Sequence, residues 1–222
     1  MSRGFAPPIL RHAPHAAGAV LALAVLWAPL PFASVRPFEE TLLFVAVALA
    51  LALAAPAVAV RTGRLAAVAW PAGALVALAG WGYAQSFPWP ATLVRWLSPR
   101  HAELWGKAAE MLGEEAVGAP RFTVEAAASR GVALTCLALA AALVAAALAA
   151  RSRRARRGLA LAVVAAALFQ VVYGARGWLA GSAEIWGLTV PGVTDRLRGT
   201  FVNPNHLAYL LEIALALAFA AG

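Results

Sequence analysis

Residues 131–150 read GVALTCLALAAALVAAALAA, residues 151–157 read RSRRARR, and residues 158–175 read GLALAVVAAALFQVVYGA. A helix that crosses a bilayer needs about 20 mostly apolar residues. Inside lipid only helices and closed barrels satisfy every backbone N–H and C=O. Two runs of that length, joined by a short stretch dense in arginine, therefore predict two membrane helices turning through a basic loop. Such loops mark the cytoplasmic side of a membrane.

The rest of the chain repeats this pattern. Hydrophobic residues make up 63% and charged residues 13%, against about 45–50% and about 25% in soluble domains. Further apolar runs lie at about 16–34, 40–60 and 65–83. A sixth begins at Leu207 and reaches Gly222. At ~1.5 Å per residue it extends about 24 Å, short of a hydrocarbon core of about 30 Å. The expected fold is an all-α, polytopic membrane helix bundle, with five full spans plus a truncated sixth. Residues 1–222 form one membrane domain in this reading, the N-terminal part of a longer protein. The run 16–34 is long for a signal peptide and holds Trp27 and Pro29, so an uncleaved anchor is expected.

The net charge of +8 does not point to nucleic acid, because the densest basic cluster, Arg151 to Arg157, sits between two spans. The single cysteine, Cys136, lies inside an apolar run. It excludes an internal disulfide and indicates no metal cluster. No cofactor is expected.

Basic-residue placement sets the orientation. A cytoplasmic N-terminus puts Arg3, Arg11, Arg61, Arg64 and the five arginines of 151–157 inside, with no acidic residue among them. Glu39, Glu40, Glu103, Glu110, Glu114, Glu115, Glu125, Glu184 and Asp195 then lie outside. Short basic loops decide topology, whereas long loops translocate largely regardless of charge. The outer loop 84–130 and the segment 176–206 accordingly share the non-cytoplasmic side. Trp81, Trp89, Trp96, Trp105, Trp178 and Trp186 fall on or beside that face, where tryptophan favours the headgroup level. Within the outer loop, Ser98 and Pro99 read as N-cap and first helical residue. Leu104, Trp105, Ala108, Ala109 and Leu112 follow at helical spacing, predicting a short amphipathic helix lying in the membrane interface.

The candidate functional residues lie at the other end of the chain. Arg196-Leu197-Arg198-Gly199-Thr200-Phe201-Val202-Asn203-Pro204-Asn205-His206-Leu207-Ala208 is a cationic, polar turn running into an apolar helix. Gly199 opens backbone angles closed to other residues. Asn203 before Pro204 suits a helix N-cap followed by the first helical residue. A helix N-terminus with Arg196 and Arg198 beside it, and Arg176 from the same outer loop, suits a phosphate or diphosphate. His206 has the chemistry of a general base. It is equally a polar residue at a helix start. Glu212, about 9 Å further along the helix, is either an intramembrane functional acid or an interfacial partner for an arginine.

This string resembles a signature of the bacterial O-antigen ligase and polymerase superfamily, whose usual form is Arg-x-x-Gly-Thr-Phe-x-Asn-x-Asn-x-x-Ala at the start of a mid-chain span. The preceding layout is similar too: three spans, a long loop with Leu97-Ser98-Pro99, two spans joined by a basic loop, then Gln170 and an outer loop. The resemblance implies metal-independent glycosyl transfer at the outer face of the bacterial inner membrane. The donor it implies is a glycan on undecaprenyl diphosphate. The acceptor is lipid A core, another glycan repeat, or a protein. It implies that Arg196 contacts the donor diphosphate and that Gly199, Thr200, Phe201, Asn203, Asn205 and His206 shape the site. Arg198 stands at a position often small in that family. Family members are about twice as long, and their acceptor-side arginine and histidine come in a later loop, which nothing here matches. No catalytic residue is therefore expected in this chain, and the chain alone is expected to be inactive.

A transporter or transport-associated protein, akin to superfamily relatives linked to bicarbonate uptake, is the alternative. It needs a polar path through the spans, and the first five runs hold almost no ionisable residues. An inactive truncated product is a third reading.

Overall fold

A computed structural model describes residues 8–56, 62–150, 153–190 and 196–221. Arg3, Arg61, Arg151 and Asp195, and the last residues of the run 40–60, lie outside them. The helices are α1 (Pro8–Trp27), α2 (Pro37–Ala54), α3 (Thr62–Ser86), α4 (Ala91–Leu97), α5 (Pro99–Leu112), α6 (Glu114–Val117), α7 (Ala126–Ala149), α8 (Arg153–Leu179) and α9 (Pro204–Ala221). Between α8 and α9 stands a small antiparallel hairpin, β1 (Glu184–Ile185) and β2 (Leu188–Thr189).

Four helices among the described residues are long and apolar enough to cross a membrane: Pro37–Ala54, Leu65–Ser86, Ala126–Ala149 and Arg153–Leu179. The apolar parts of α1 and α9, Ala13–Trp27 and Pro204–Ala220, are shorter. The sequence expectation of five full spans differs chiefly at the first run, where apolar composition to residue 34 was read as helix. The chain instead leaves the helix after Trp27. Pro29 and Pro31 cannot continue it, and Phe32, Ala33 and Ser34 follow with positive φ of 53°, 58° and 54°. Ser34 Oγ closes this left-handed turn by donating to Ala28 O at 2.7 Å. The Arg36 guanidinium carbon lies 4.2 Å from the centre of the Phe32 ring. The turn is apolar in composition but does not continue the α-helix.

The chain divides into two compact units, Met1–Val68 with Ala141–Gly222, and Ala69–Ala140. In the first, α1 packs on α2 and α8, and α8 packs on α9. Its core is built mainly from alanines, Ala17, Ala50, Ala54, Ala145 and Ala149, with Leu21 and Leu148. Membrane helices associate by such close packing, because lipid offers no hydrophobic drive between them. Only 11% of the apolar window of α2 is buried inside the protein, so most of its apolar surface requires lipid. Pro37 starts α2 at a first-turn position and Glu39 and Glu40 follow, where carboxylates favour the positive end of the helix dipole.

In the second unit, Ser98 occupies the position before Pro99 at the start of α5, but its side chain makes no capping bond. No α5 side chain is buried. Glu103 receives Arg100 at 3.0 Å and Lys107 at 2.7 Å. Gly113 (φ 89°) ends the helix. Trp89 N–H donates to Pro120 O at 2.9 Å and Phe122 N–H to Gln85 O at 3.2 Å, fixing the connection to the end of α3. Arg130 Nε reaches Ser86 Oγ at 3.1 Å.

Candidate functional site

The last turn of α8, the hairpin and the segment before α9 enclose a cavity of about 430 Å³. Arg176, Arg196 and Arg198 all line it, with Gly199. The three arginines singled out in the sequence are thus brought to one place. Among the described residues, Glu184, from β1, is the one carboxylate on the same wall. Among the described lining residues, three guanidiniums against one carboxylate leave a net formal charge of +2.

Each arginine is held differently. Arg176 stands in the last turn of α8, where a cation complements the negative end of the helix dipole. Its side chain is exposed, as is that of Arg196. Arg198 is buried, only 5% exposed. Its Nη2 donates to Ala183 O at 2.6 Å, while Nη1 has no partner among the described residues. Ala183 O also accepts the Val190 N–H at 3.0 Å, so Arg198 is braced on the base of the hairpin. A buried guanidinium with an unpaired N–H group is costly unless an anion completes it.

The hairpin owes its shape to two residues. Ile185 pairs with Leu188, leaving Trp186 and Gly187 as the turn. Their φ values, 54° and 79°, are those of a type I′ turn, which needs positive φ at both central positions. Trp186 tolerates this because it is held from several sides. Its N–H donates to Tyr173 Oη at 2.7 Å and its Nε1 to Leu30 O at 2.8 Å. Its ring lies 4.7 Å from that of Tyr173 and 6.1 Å from that of Phe169. Sequence reading did not find the hairpin; the available signal was the aromatic–glycine pair between Ile185 and Leu188.

The rest of the motif does other work. Thr200 and Gln170 are fully buried. Thr200 N–H donates to Gln170 Oε1 at 2.7 Å, and Gln170 Nε2 donates to Pro29 O at 3.4 Å. Thr200 Oγ1 also lies within bonding reach of Pro29 O and, at 3.0 Å, of Gln170 Oε1; its single proton serves one of them at a time. One glutamine therefore ties α8 to the turn after α1 and to the motif. Beside it Gly174 meets Gly199 backbone to backbone. Phe201 is buried. Asn203 caps α9, its Oδ1 accepting the Asn205 N–H at 2.9 Å. Asn205 and His206 are exposed on the first turn of α9, and His206 stacks near Tyr209 at 6.4 Å. Neither lines the arginine cavity, nor do Thr200, Phe201 and Asn203. The arginines thus gather at the end of α8 and the hairpin, and the exposed first turn of α9 does not line their cavity.

No family model, no curated protein and no solved structure matches this chain. Among the described residues no group of three or more His, Cys, Asp or Glu side chains could hold a metal ion.

Proposed function

We propose that this chain carries the donor-binding part of an O-antigen ligase-like glycosyltransferase, and that the arginine cavity receives the diphosphate of an undecaprenyl diphosphate-linked glycan. One observation carries the reading: Arg198, buried in the cavity wall with Nη1 unpartnered, stands beside Arg176 and Arg196. A diphosphate supplies several acceptor oxygens and negative charge to match a net +2 site, and guanidinium–phosphate bonds are among the strong charge-assisted kind. The motif from Arg196 to Ala208 supports the choice of substrate.

In this proposal the protein lies in a bacterial inner membrane with a cytoplasmic N-terminus. The five-arginine loop faces the cytoplasm and the cavity faces the periplasm. α1 and α9 join the four longer helices as membrane-inserted segments, and α5 lies along the outer interface. The acceptor is a glycan or lipid A core. Arg196, Arg198 and Arg176 bind, Gln170 and Gly174 position the motif, and no residue of this chain is given a catalytic role.

The test is binding. Purified protein in phosphatidylcholine nanodiscs is titrated with undecaprenyl diphosphate and with undecaprenol. The diphosphate binds, and Arg196→Ala and Arg198→Ala weaken it. Equal affinity for the alcohol, or no effect of either substitution, overturns the reading.

A further inference from the structure

Among the described residues, four that are not glycine have positive φ: Phe32 at 53°, Ala33 at 58°, Ser34 at 54° and Trp186 at 54°. L-residues avoid this region because Cβ crowds the following carbonyl oxygen. They persist there only where their surroundings hold them. The first three form the turn after α1, and the fourth stands in the turn of the hairpin. The two turns are far apart in sequence, yet they meet at one hydrogen bond, from Trp186 Nε1 to Leu30 O at 2.8 Å. Neighbouring carbonyls of the first turn are held as well. Ala28 O accepts Ser34 Oγ at 2.7 Å. Pro29 O accepts Gln170 Nε2 at 3.4 Å and lies within bonding reach of Thr200 Oγ1. Trp186 also lines the arginine cavity, and the base of its hairpin braces Arg198 through Ala183 O. All four strained residues thus belong to one bonded unit that ends at the cavity wall.

We propose that the turn after α1 and the hairpin form a strained clasp that an anion in the cavity sets, so that occupancy of the cavity controls the order of the α1–α2 connection. This rests on the anion reading of the cavity given above and adds its regulation. Each link is a contact between named groups. An anion that completes Arg198 fixes Ala183 O, which also accepts the Val190 N–H and so fixes the hairpin. The hairpin in turn presents Trp186 Nε1 to Leu30 O. Without the anion, the same bonds alone hold four residues in a conformation they disfavour. A ligand shifts such an equilibrium by its differential affinity for the two states. Here the clasped state is the one in which Arg198 is braced and its Nη1 is free to meet an acceptor. Because α1 packs on α2 and α8, release of the turn loosens the end of α1.

Amide hydrogen exchange in phosphatidylcholine nanodiscs, with and without saturating inorganic diphosphate, tests the clasp. Two amides report: Ser34 N–H, bonded to Pro31 O inside the turn, and Val190 N–H on the hairpin. In the unsubstituted protein diphosphate slows both, by about fivefold or more, the lower end of ordinary coupling between sites. Trp186→Phe keeps a ring against Tyr173 and removes the donor to Leu30 O. In that variant diphosphate still slows Val190 N–H and no longer slows Ser34 N–H. Ala33→Gly relieves one strained position, since glycine adopts positive φ freely. It slows Ser34 N–H by about threefold with no diphosphate present, whereas a damaged fold would speed it. Ser34 N–H unmoved while diphosphate binds the unsubstituted protein overturns the clasp and leaves the anion reading standing. Slowing of Ser34 N–H that survives Trp186→Phe overturns it too, as does unchanged or faster exchange in Ala33→Gly. If diphosphate slows neither amide and its titration shows no binding, the anion reading falls and the clasp falls with it.

Discussion

Gly174 and Gly199 meet with no side chain between them. A Cβ on Gly174 would lie 2.7 Å from the Gly199 nitrogen and 3.0 Å from its Cα. Gly199 itself sits at φ 61°, and a Cβ there would run into the Gln170 side chain. The two glycines let the backbone at Gly199 lie directly on α8, which is what brings Arg196 and Arg198 to the helix end that carries Arg176. Gly174→Ala forces a backbone to move, since the two nearest atoms belong to the Gly199 main chain. Overpacking of this kind costs about 1–3 kcal/mol. The expected result is a lower melting temperature together with weaker diphosphate binding. Unchanged binding with a normal melting temperature would show that the contact positions nothing.

Gln170 and Thr200 make a second test of the same junction. Gln170→Leu keeps the approximate volume but leaves the Thr200 N–H and the Pro29 carbonyl without Gln170, deep in the protein. An unsatisfied buried polar group costs about 1–3 kcal/mol. Thr200→Val removes only the hydroxyl and keeps the backbone bond to Gln170. Gln170→Leu should therefore destabilise more than Thr200→Val in a denaturant or thermal series. The reverse order would show that the hydroxyl, not the amide side chain, holds the turn.

Much of this architecture is legible in the chain because membrane helices announce themselves by length and apolarity. The runs 40–60, 65–83, 131–150 and 158–175 overlap α2, α3, α7 and α8. The Asn203-Pro204 helix start is equally local and appears as a side-chain cap. The first run misleads because Phe32 and Ala33 count as apolar whatever their backbone does, and only the fold holds them in a left-handed turn. The convergence of Arg176, Arg196 and Arg198 was readable as shared loop position. Its cause was not, because Gln170, Pro29 and Gly174 are distant in sequence and carry no motif. The hairpin escaped because its turn begins with tryptophan, a residue held at positive φ by Tyr173 and Leu30 and not by its own preference.

The three arginines are not equivalent. Arg198 is buried and braced at Ala183 O, whereas Arg176 and Arg196 are exposed. Hydrogen bonds to charged groups contribute about 1.5–3 kcal/mol, so Arg198→Ala should weaken inorganic diphosphate by about tenfold or more. Arg176→Ala should have a smaller effect that shrinks further in high salt, because exposed charges are screened. Arg198→Lys should not restore binding, since one ammonium cannot brace Ala183 O and present a second donor in the guanidinium geometry. Isothermal titration at two salt concentrations checks all three. A lysine that binds as well as arginine would sink the bracing role.

Gly187 isolates the backbone of the hairpin from its contacts. Among the described residues, apart from its chain neighbours, no atom lies within 4 Å of a Cβ added there, yet its φ is 79°. Gly187→Ala therefore tests conformation alone, at a penalty of about 1–2 kcal/mol. The hairpin carries Ala183 O, the brace for Arg198, so faster hydrogen exchange at Val190 N–H should accompany weaker diphosphate binding. Loosened exchange with unaltered binding would separate the hairpin from the site.

Glu184 gives the last prediction a sign. Among the described residues it is the one carboxylate on a cavity wall that carries three guanidiniums. If the cavity binds an anion by net charge, Glu184→Gln raises the formal charge of the lining from +2 to +3 and should tighten inorganic diphosphate. Glu184 is exposed, and pairwise effects at exposed positions are about 0.2–1 kcal/mol, so the gain is at most about fivefold at low salt and fades as salt rises. If instead the carboxylate orients an arginine, the same substitution loosens binding. The two outcomes have opposite signs in one titration. A loss would assign Glu184 to the scaffold that aims the arginines, whereas a gain would leave charge as the force that seats the ligand.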